Sequence, residues 1–520
     1  MRGRHYLALL LLVVLALLPA TAGGAPGRVP QNVLVIGRII GDVVSLDPAE
    51  AFELTSTWID EHLYETLVEF SRDFTRAVPG LATSWTVSAD GKTYTFTLRS
   101  GVKFHSGNPV DARAVEFSLR RAMRLKLQPA FILTGFIKNP EDVVAISTTQ
   151  LRITFNQVMP EILMTCVLAN SVASAVDPAL VQKNATASDP LANKWVAEND
   201  AGSGPYLLRR WTRNAVIELV AFDSYWGGRP RMGRIFIQDM PEPTAQLLAL
   251  QRGDVDMVTD LLPTQFNQVA KETGLVVKTS PQFALRYLAM NVGYEPFSRV
   301  QVRNAVKWAI DYTAFRRIFE DQIDIGQTIV PARMFGHLPD RPYSKNLDRA
   351  RALMREAGFE RGFKAELLTV PDPPLPDIAA KIKEDLAQIG IEVEVKVLRS
   401  ADILAAYRAR THQMVIARWG ADYPDPDNLA TAFADADARV LAFRNQWDHP
   451  IKRTVQQAVQ ELDRAKRDAM YRQIQKVVLD EGPYVIIGYP LRLLAMRANV
   501  KGLDPSPLSV TYGMWGVVKE

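Results

Sequence analysis

Cysteine is almost absent from this chain of 520 residues. The single cysteine, Cys166, lies in the apolar stretch 162–168, so no internal disulfide can form and we expect a buried, inert thiol. A fold that depends on a disulfide framework is therefore excluded. No cysteine lies near the N-terminus either, which argues against a lipid anchor at that end.

Histidine, net charge and cofactor motifs are scarce as well. The six histidines are scattered, with no His-x-x-x-His pair and no nearby cysteine, which argues against a dedicated zinc site. The 61 basic and 57 acidic residues nearly balance, so the basic excess typical of nucleic-acid binding is missing. The sequence contains no metalloprotease, P-loop or dinucleotide motif. We predict a protein without a metal, a cofactor or a nucleic-acid partner.

Long apolar runs are missing except at the N-terminus. Twelve uncharged residues at 7–18 follow Arg2 and Arg4, and the small residues of 20–22 come next. This run is shorter than the roughly 20 residues that a membrane-spanning helix needs. The pattern predicts a cleavable signal peptide over residues 1–22. The alternative is an N-terminal anchor that stays in place.

Alternating patterns of apolar residues predict the secondary structure. Residues 85–98 have the alternation and the Asp-Gly turn of a β-hairpin. Further on, an apolar stripe at helical spacing over 378–390 precedes a strand-like alternation over 391–397, and 414–419 predicts the next strand. Alternating strands and helices predict an α/β fold with a mixed or parallel sheet. Ligands bind beyond the carboxyl ends of such strands, which points to the loop 420–428.

Five groups of short motifs follow one another along the chain. They are Ser45–Pro48 with Leu63–Leu67, Leu81–Trp85 with Leu98–His105, Gly202–Tyr206 with Tyr225–Gly228 and Gly253–Asp256, Pro296–Phe297 with Val302–Ala305 and Ala309–Asp311, and Trp419–Pro426. In this order they resemble the dipeptide-, oligopeptide- and nickel-binding family of solute receptors for ABC importers, the bacterial extracellular solute-binding proteins of family 5.

The resemblance implies a two-lobe α/β fold of the type II periplasmic-binding-protein kind. An extra subdomain is inserted in the first lobe, and the ligand cleft lies between the lobes. The implied boundaries are 23–60, 200–279 and 490–520 for lobe 1, 61–199 for the inserted subdomain and 280–489 for lobe 2.

The same resemblance implies a function without catalysis. The protein would be periplasmic and monomeric, would capture a small ligand, most simply a short peptide, by closure of its lobes, and would deliver it to a membrane permease. A sugar, an opine or a nickel chelate is an alternative ligand. A glycoside hydrolase with paired aspartates is a remote alternative, because Asp422, Asp425 and Asp427 share one loop and no opposing carboxylate is identified.

Asp422 is the sharpest candidate for a binding residue. In the oligopeptide-binding branch, the aspartate after Trp-x-Ala pairs with the α-ammonium group of the peptide, and Asp422 occupies that position. An ammonium group removed from water needs such an ionised partner. The alternative makes Asp422 a carboxylate that caps a proline-rich turn, the role we expect for Asp425 and Asp427.

Backbone and apolar groups complete the expected site. The resemblance implies that Arg418, Trp419 and Gly420, followed by Ala421, offer strand backbone to the ligand. Phe52, Glu53 and Leu54 would line the opposite wall, although Phe52 and Leu54 could equally be core residues. No arginine for the carboxylate of a peptide is assigned, so peptide length stays open.

Export provides the first test. We expect the mature protein to begin at or near Gly23 and to be recovered soluble from the periplasm. N-terminal sequencing of the fractionated protein measures both. Retention of Met1, or recovery only with the membrane, would contradict the predicted signal peptide.

Overall fold

The structure, a computed structural model, describes residues 29–509, 511 and 513–520. The predicted signal peptide at 1–22 lies outside the described residues. Within the described ranges, no helix is both long enough and apolar enough to cross a bilayer.

The chain forms a succession of short strands and helices. The strands are β1 Val33–Arg38, β2 Val68–Phe70, β3 Ala77–Pro79, β4 Ala82–Val87, β5 Thr93–Leu98, β6 Val143–Ala145, β7 Gln150–Thr154, β8 Tyr206–Thr212, β9 Val216–Ala221, β10 Arg234–Asp239, β11 Met257–Val258, β12 Leu275–Pro281, β13 Ala284–Met290, β14 Ile323–Asp324, β15 Phe363–Thr369, β16 Ile391–Val397, β17 Met414–Gly420, β18 Tyr484–Arg497, β19 Val500–Lys501 and β20 Val518–Lys519. The helices are α1 Leu54–Leu63, α2 Ala112–Leu125, α3 Phe131–Thr134, α4 Glu161–Leu168, α5 Pro178–Asn184, α6 Asn193–Val196, α7 Pro243–Arg252, α8 Pro263–Val269, α9 Glu295–Ser298, α10 Val300–Ala309, α11 Tyr312–Ile318, α12 Leu347–Glu356, α13 Leu375–Ala387, α14 Ser400–Ala409, α15 Pro426–Ala434, α16 Leu441–Arg444, α17 Lys452–Ala458 and α18 Arg464–Glu481.

A 12-stranded mixed sheet runs through the molecule, and the long strand β18 joins its two halves. The order along the sheet is β16-β15-β17-β13-β18-β11-β1-β10-β9-β8, with β12 and β14 also paired to β18. The first part of β18 pairs with β13, and its last part pairs with β12 and β11. The half that contains β1 and β8–β12 is called lobe 1, and the half that contains β13–β17 is called lobe 2. The α/β class predicted from the sequence is confirmed.

Periodicity located these elements well. The predicted hairpin at 85–98 is β4 paired with β5, where the even-numbered residues Tyr94, Phe96 and Leu98 are buried. The predicted helix and strand at 378–397 are α13 and β16. The predicted loop at 420–428 is shorter than expected, because α15 already begins at Pro426, a residue type that suits the first turn of a helix.

A separate four-stranded antiparallel sheet, in the order β4-β5-β7-β6, forms the centre of the inserted subdomain. Its core includes Phe96, Phe104 and Leu163 with the lone cysteine. Burial raises the pKa of the Cys166 thiol well above its ordinary value, as expected for an inert buried cysteine. This core also receives side chains from lobe 2, notably Tyr423.

A buried ion pair joins this subdomain to the segment between β1 and α1. The guanidinium of Arg121 on α2 donates to both carboxylate oxygens of Asp47, at 2.8 and 2.5 Å. Both side chains are almost fully buried, at 1% and 0% exposed. Asp47 also accepts from the backbone N–H of Ala49 and from the amide of Asn193. The arrangement satisfies a charge that would otherwise be costly to bury.

The Arg121–Asp47 pair yields a stability prediction. Asp47→Asn keeps the size of the side chain but leaves the Arg121 charge without an ionised partner, so we expect a loss of about 3–5 kcal/mol in the free energy of unfolding. Urea titration measures this loss. Glu141→Gln is the control, because the Arg124–Glu141 pair is exposed and is expected to contribute at most about 1 kcal/mol. Equal, small losses in both variants would contradict the prediction.

Candidate ligand-binding site

Two strands of lobe 2 end, and a third begins, at one edge of the sheet next to the connection between the lobes. Strands β15 and β17 run parallel and finish at Thr369 and Gly420. The antiparallel β13 begins at this edge, with Ala284 paired to Gly420. The carboxyl ends of the parallel strands and the loops that follow them therefore lie together, where α/β proteins place their ligands.

Asn428 organises the loop after β17. Its side-chain oxygen accepts from the indole N–H of Trp419 at 3.2 Å and from the backbone N–H of Asp422 at 3.3 Å. Its side-chain nitrogen donates to Oδ2 of Asp422 at 3.2 Å. One amide therefore fixes the tryptophan, the loop backbone and the carboxylate relative to one another. Asn428 lies in the loop predicted from the sequence, where no local pattern indicated its role.

Asp422 has the properties of a carboxylate in a recess. Its side chain keeps access to solvent, yet the surrounding protein desolvates it enough to raise its pKa above the ordinary value, while the hydrogen bond from Asn428 favours the ionised form. Among the described residues, no lysine, arginine or histidine forms an ion pair with Asp422. The carboxylate therefore remains free to receive a cation.

Asp425 and Asp427 are structural. Asp425 is fully buried, accepts from the backbone N–H of Asp427 at the start of α15, and receives two hydrogen bonds of 2.7 and 2.8 Å from the guanidinium of Arg467. Asp427 accepts from the hydroxyl groups of Tyr423 and Thr431 at 2.7 and 2.8 Å. The expected turn role of Asp425 is confirmed, and the ion pair was missed because Arg467 lies 42 residues further along the chain.

The backbone of the last residues of β17 has one open edge. On one side, Arg418, Trp419 and Gly420 pair with β13. On the other side, β15 pairs with β17 at Leu367–Met414 and Leu368–Val415, and within the described residues this pairing does not reach 418–420. Trp419 and Ala421 pack against the buried cluster on one face of lobe 2, whereas Arg418 is exposed on the opposite face. An extended ligand could pair with this open edge as an added strand.

The segment expected on the opposite wall lies at the start of α1. Glu53 occupies the N-cap position, and the ring of Phe52 contacts Phe131 edge-on at 5.9 Å between centroids. Leu54 is 42% exposed, so it is not a core residue. Phe52 and Tyr423 both pack against the core of the inserted subdomain. No hydrogen bond or ion pair joins 52–54 to 418–422 within the described part of the chain.

Two charged residues, Glu61 and Arg286, were not identified from the sequence. Glu61 on α1 accepts from the hydroxyl of Ser509 at 2.9 Å, and desolvation raises its pKa to about 8 although Ser509 and Arg492 favour its ionised form. Arg286 on β13 lies directly opposite Arg418 on β17. For Arg286, the signal in the sequence is a lone charged residue inside the apolar strand β13. Periodicity alone does not indicate the role of such a residue.

Comparison with known proteins identifies the class. Residues 76–439 match the family model of the bacterial extracellular solute-binding proteins, family 5, and the chain belongs to this family. The family predicted from the short motifs is confirmed.

Individual relatives extend the comparison to nearly the whole chain. The probable D,D-dipeptide-binding periplasmic protein DdpA of Escherichia coli K12 is 28% identical over 492 residues, which cover 93% of each chain. The periplasmic binding protein DppA of Helicobacter pylori, solved in complex with the peptide STSA, is 26% identical, with a TM-score of 0.75 over 94% of this chain and 98% of that one. HbpA2 of Haemophilus parasuis has a TM-score of 0.84 at 22% identity, over 94% and 100% of the two chains. The two-lobe fold predicted from the resemblance is confirmed.

The role of Asn428 can be tested through stability. Asn428→Ala removes three hydrogen bonds, two accepted from the Trp419 indole and the Asp422 backbone and one donated to the Asp422 carboxylate. At about 0.5–1.5 kcal/mol per hydrogen bond, we expect a loss of about 1.5–4.5 kcal/mol in the free energy of unfolding. Urea titration provides the measurement.

Asn267→Ala is the matched control for this variant, since Asn267 is an exposed helical residue with a single 3.4 Å hydrogen bond to Glu320. If both alanine variants lost the same stability, Asn428 would not organise the loop.

Proposed function

We propose that this protein is the periplasmic solute-binding component of an ABC importer and that it captures short peptides between its lobes. The observation that carries the proposal is Asp422, a partly desolvated carboxylate without a cationic partner among the described residues, at the strand ends where a ligand is expected. Two relatives support the proposal, one named as a dipeptide-binding protein and one solved in complex with a peptide.

The proposed mechanism is hinge closure. We assign lobe 1 to 23–60, 200–279 and 490–520, the inserted subdomain to 61–199 and lobe 2 to 280–489. The connections that support a hinge are the step from β12 to β13 and the middle of β18, where pairing changes from one lobe to the other. Rotation about a few such residues would close the cleft over a ligand and create the surface that a permease recognises.

Ammonium capture by Asp422 is the proposed polar anchor. Oδ2 of the carboxylate is held by Asn428, which leaves Oδ1 to accept from an ammonium group. A charge-assisted hydrogen bond in a closed, desolvated cleft is considerably stronger than one in water. The open backbone edge of Arg418, Trp419 and Gly420 would add contacts that are independent of the peptide side chains. This combination suits a receptor for peptides of varied sequence.

The opposite wall of the cleft is assigned to Phe52, Glu53 and Leu54. Leu54 is exposed in spite of its apolar character, as expected for a residue that a ligand or lobe closure would cover. The carboxylate of Glu53 lies at the start of α1, where its one hydrogen bond among the described residues comes from the adjacent Phe52 N–H. Glu53 and Leu54, unlike Phe52, do not pack against the core of the inserted subdomain.

No bond is made or broken in this proposal. Asp425 and Asp427 follow Asp422 closely in the sequence, and both are buried and already hydrogen-bonded. They are therefore unsuited to act as the opposing acid or base of a glycoside hydrolase. We further propose a monomer that is exported with a cleaved signal peptide and no lipid anchor, that serves a membrane permease and that binds no nucleic acid, metal or cofactor.

The decisive experiment removes the Asp422 charge and the ligand ammonium group in turn. Loss of one member of a desolvated charged pair costs about 2–5 kcal/mol, so Asp422→Ala should weaken peptide binding by about 30-fold to several thousand-fold. N-acetylation of the peptide should weaken binding to the wild type as strongly, and binding to Asp422→Asn much less, because both changes remove the same interaction. Titration calorimetry measures the free and acetylated peptides with the wild type and with Asp422→Asn, and the free peptide with Asp422→Ala.

Asp402→Asn is the control variant, because Asp402 is exposed on α14 and already paired with Arg399 at 3.0 Å. The Asp402→Asn variant should bind the peptide with the same affinity as the wild type. If acetylated and free peptides bound the wild type equally well, ammonium capture would be wrong. A sugar, an opine or a nickel chelate would then replace the peptide as the ligand.

A further inference from the structure

The hairpin of β2 and β3 places an aromatic ring of the inserted subdomain inside lobe 2. Phe74, in the turn of this hairpin, is 7% exposed and belongs to the same buried cluster as Phe283 and Leu285. Its ring meets that of Phe283 edge-on at 5.2 Å between centroids and lies 5.5 Å from that of Phe70 in its own hairpin. Aromatic pairs at such distances stabilise each other beyond the apolar area that they bury. Phe74 is therefore a core residue of lobe 2 that the inserted subdomain supplies.

The backbone of this turn is held in an unusual conformation. Phe74 has a φ of 55°, in the left-handed region that bulky side chains rarely adopt. Oδ1 of Asp73 accepts from the hydroxyl groups of Ser71 and Thr75 at 2.6 and 2.9 Å. The Phe74 N–H donates to the carbonyl of Ser71 at 2.8 Å. Because a strained backbone persists only where the surrounding structure holds it, these contacts fix the turn in the conformation that presents the ring.

Lobe 2 also binds the backbone of the turn. Arg464, the first residue of α18, donates from Nη1 to the carbonyl of Thr75 at 2.7 Å, and its guanidinium lies 4.8 Å from the centroid of the Phe335 ring. In the connection between α17 and α18, Leu462 lies beside the turn of the second hairpin, since a Cβ on Gly91 would be 3.4 Å from its Cδ1. The inserted subdomain and lobe 2 therefore meet at two hairpin turns.

Phe283 links this contact to the candidate binding loop. It lies between β12 and β13, where the chain passes from lobe 1 to lobe 2. Its N–H donates to the carbonyl of Pro507 at 3.1 Å, and its carbonyl accepts from the N–H of Ala421 at 2.8 Å. Ala421 directly precedes Asp422. A shift of Phe283 would therefore move the backbone that carries the Asp422 carboxylate.

The residue on the other side of Asp422 also leads to the inserted subdomain. Tyr423 packs against the core of that subdomain. Asp422 itself, between these two contacts, is exposed. The loop is thus held at Ala421 through Phe283 and at Tyr423 by direct packing.

We propose that Phe74 is a positioning residue for ligand binding: seated against Phe283, it keeps the Asp422 loop in the position that receives a ligand. The proposal rests on the proposed function and gives the inserted subdomain a task in it. A loop that is held in place before binding loses little conformational entropy when a ligand arrives. Without the ring, the binding position is populated for only part of the time, and the apparent affinity falls by that fraction for every ligand.

Hydrogen exchange of the ligand-free protein tests the positioning directly. The Ala421 N–H is bonded to the Phe283 carbonyl, so its exchange should be faster in Phe74→Ala than in the wild type, by about tenfold or more. Phe136→Ala is the matched control, because Phe136 packs against the core of the inserted subdomain itself. In this control the Ala421 amide should exchange as in the wild type. Unchanged exchange in Phe74→Ala would overturn the proposal, whatever the ligand is.

Titration calorimetry tests the effect on binding, with the tightest binder from a library of unmodified dipeptides and with its N-acetylated form. Phe74→Ala should weaken the binding of both forms by the same factor, about tenfold or more, because loss of the loop position affects every ligand equally. Phe74→Leu keeps an apolar contact with Phe283 and should retain most of the affinity. Phe136→Ala should lose stability to urea without a change in affinity. A loss confined to the free peptide would show a direct effect on the ammonium contact and overturn the proposal.

Arg464→Gln is a milder test of the same contact, since Arg464 is exposed and no core residue is altered. Loss of its hydrogen bond to Thr75 should weaken the binding of both peptide forms by about two- to tenfold. Arg453→Gln is the control, because Arg453 is an exposed arginine on α17, and it should bind like the wild type. Wild-type affinity in Arg464→Gln would overturn the proposal even where Phe74→Ala proved too unstable to measure.

These outcomes separate the proposal from the proposed function. A wild type that binds no peptide of the library would overturn the capture of dipeptides, and hydrogen exchange would still decide the role of Phe74. Peptide binding by the wild type with unchanged affinity in the Phe74 and Arg464 variants would overturn the role of Phe74 alone.

Discussion

The pairing of one strand, β18, with both halves of the sheet is the constraint on which the rest of the structure depends. Its first residues are hydrogen-bonded to β13 of lobe 2 and its last residues to β12 and β11 of lobe 1. Gly488 ends the part that pairs with β13, at a φ of 153°, and a Cβ there would be 2.5 Å from the carbonyl oxygen of Asp324. A residue with a side chain would not fit, so the transition between the lobes is built around this glycine.

The position of this transition explains where the binding groups lie. Strand β13 starts just after the connection from lobe 1, and its first residues pair with the end of β17. The loop that carries Asp422 therefore leaves the sheet beside the proposed hinge. Phe74 of the inserted subdomain packs edge-on against Phe283 at the same connection, at 5.2 Å between centroids. Closure would thus act directly on the groups proposed to hold a ligand.

Charged residues have different partners in the buried cores and at the ends of β13 and β17. The buried pairs Asp47–Arg121 and Asp425–Arg467 have short hydrogen bonds at both carboxylate oxygens. At the cleft edge, Asp422 has no cationic partner and Arg286 has a buried N–H without an acceptor among the described residues. These two groups therefore differ from the buried ion pairs, in which both carboxylate oxygens have a hydrogen-bond partner.

The sequence by itself determined the elements whose signal is local. Alternation predicted β5 and β16, the Asp-Gly turn predicted the hairpin, and the Trp-Gly-Ala-Asp motif identified Asp422 as a candidate through family resemblance. Only the tertiary structure decided which distant groups meet. It brought Arg467 to Asp425 and placed Arg286 opposite Arg418 across a register that no local pattern specifies. The reason is that periodicity records which face of an element is buried, whereas partners across strands depend on the folding of the whole chain.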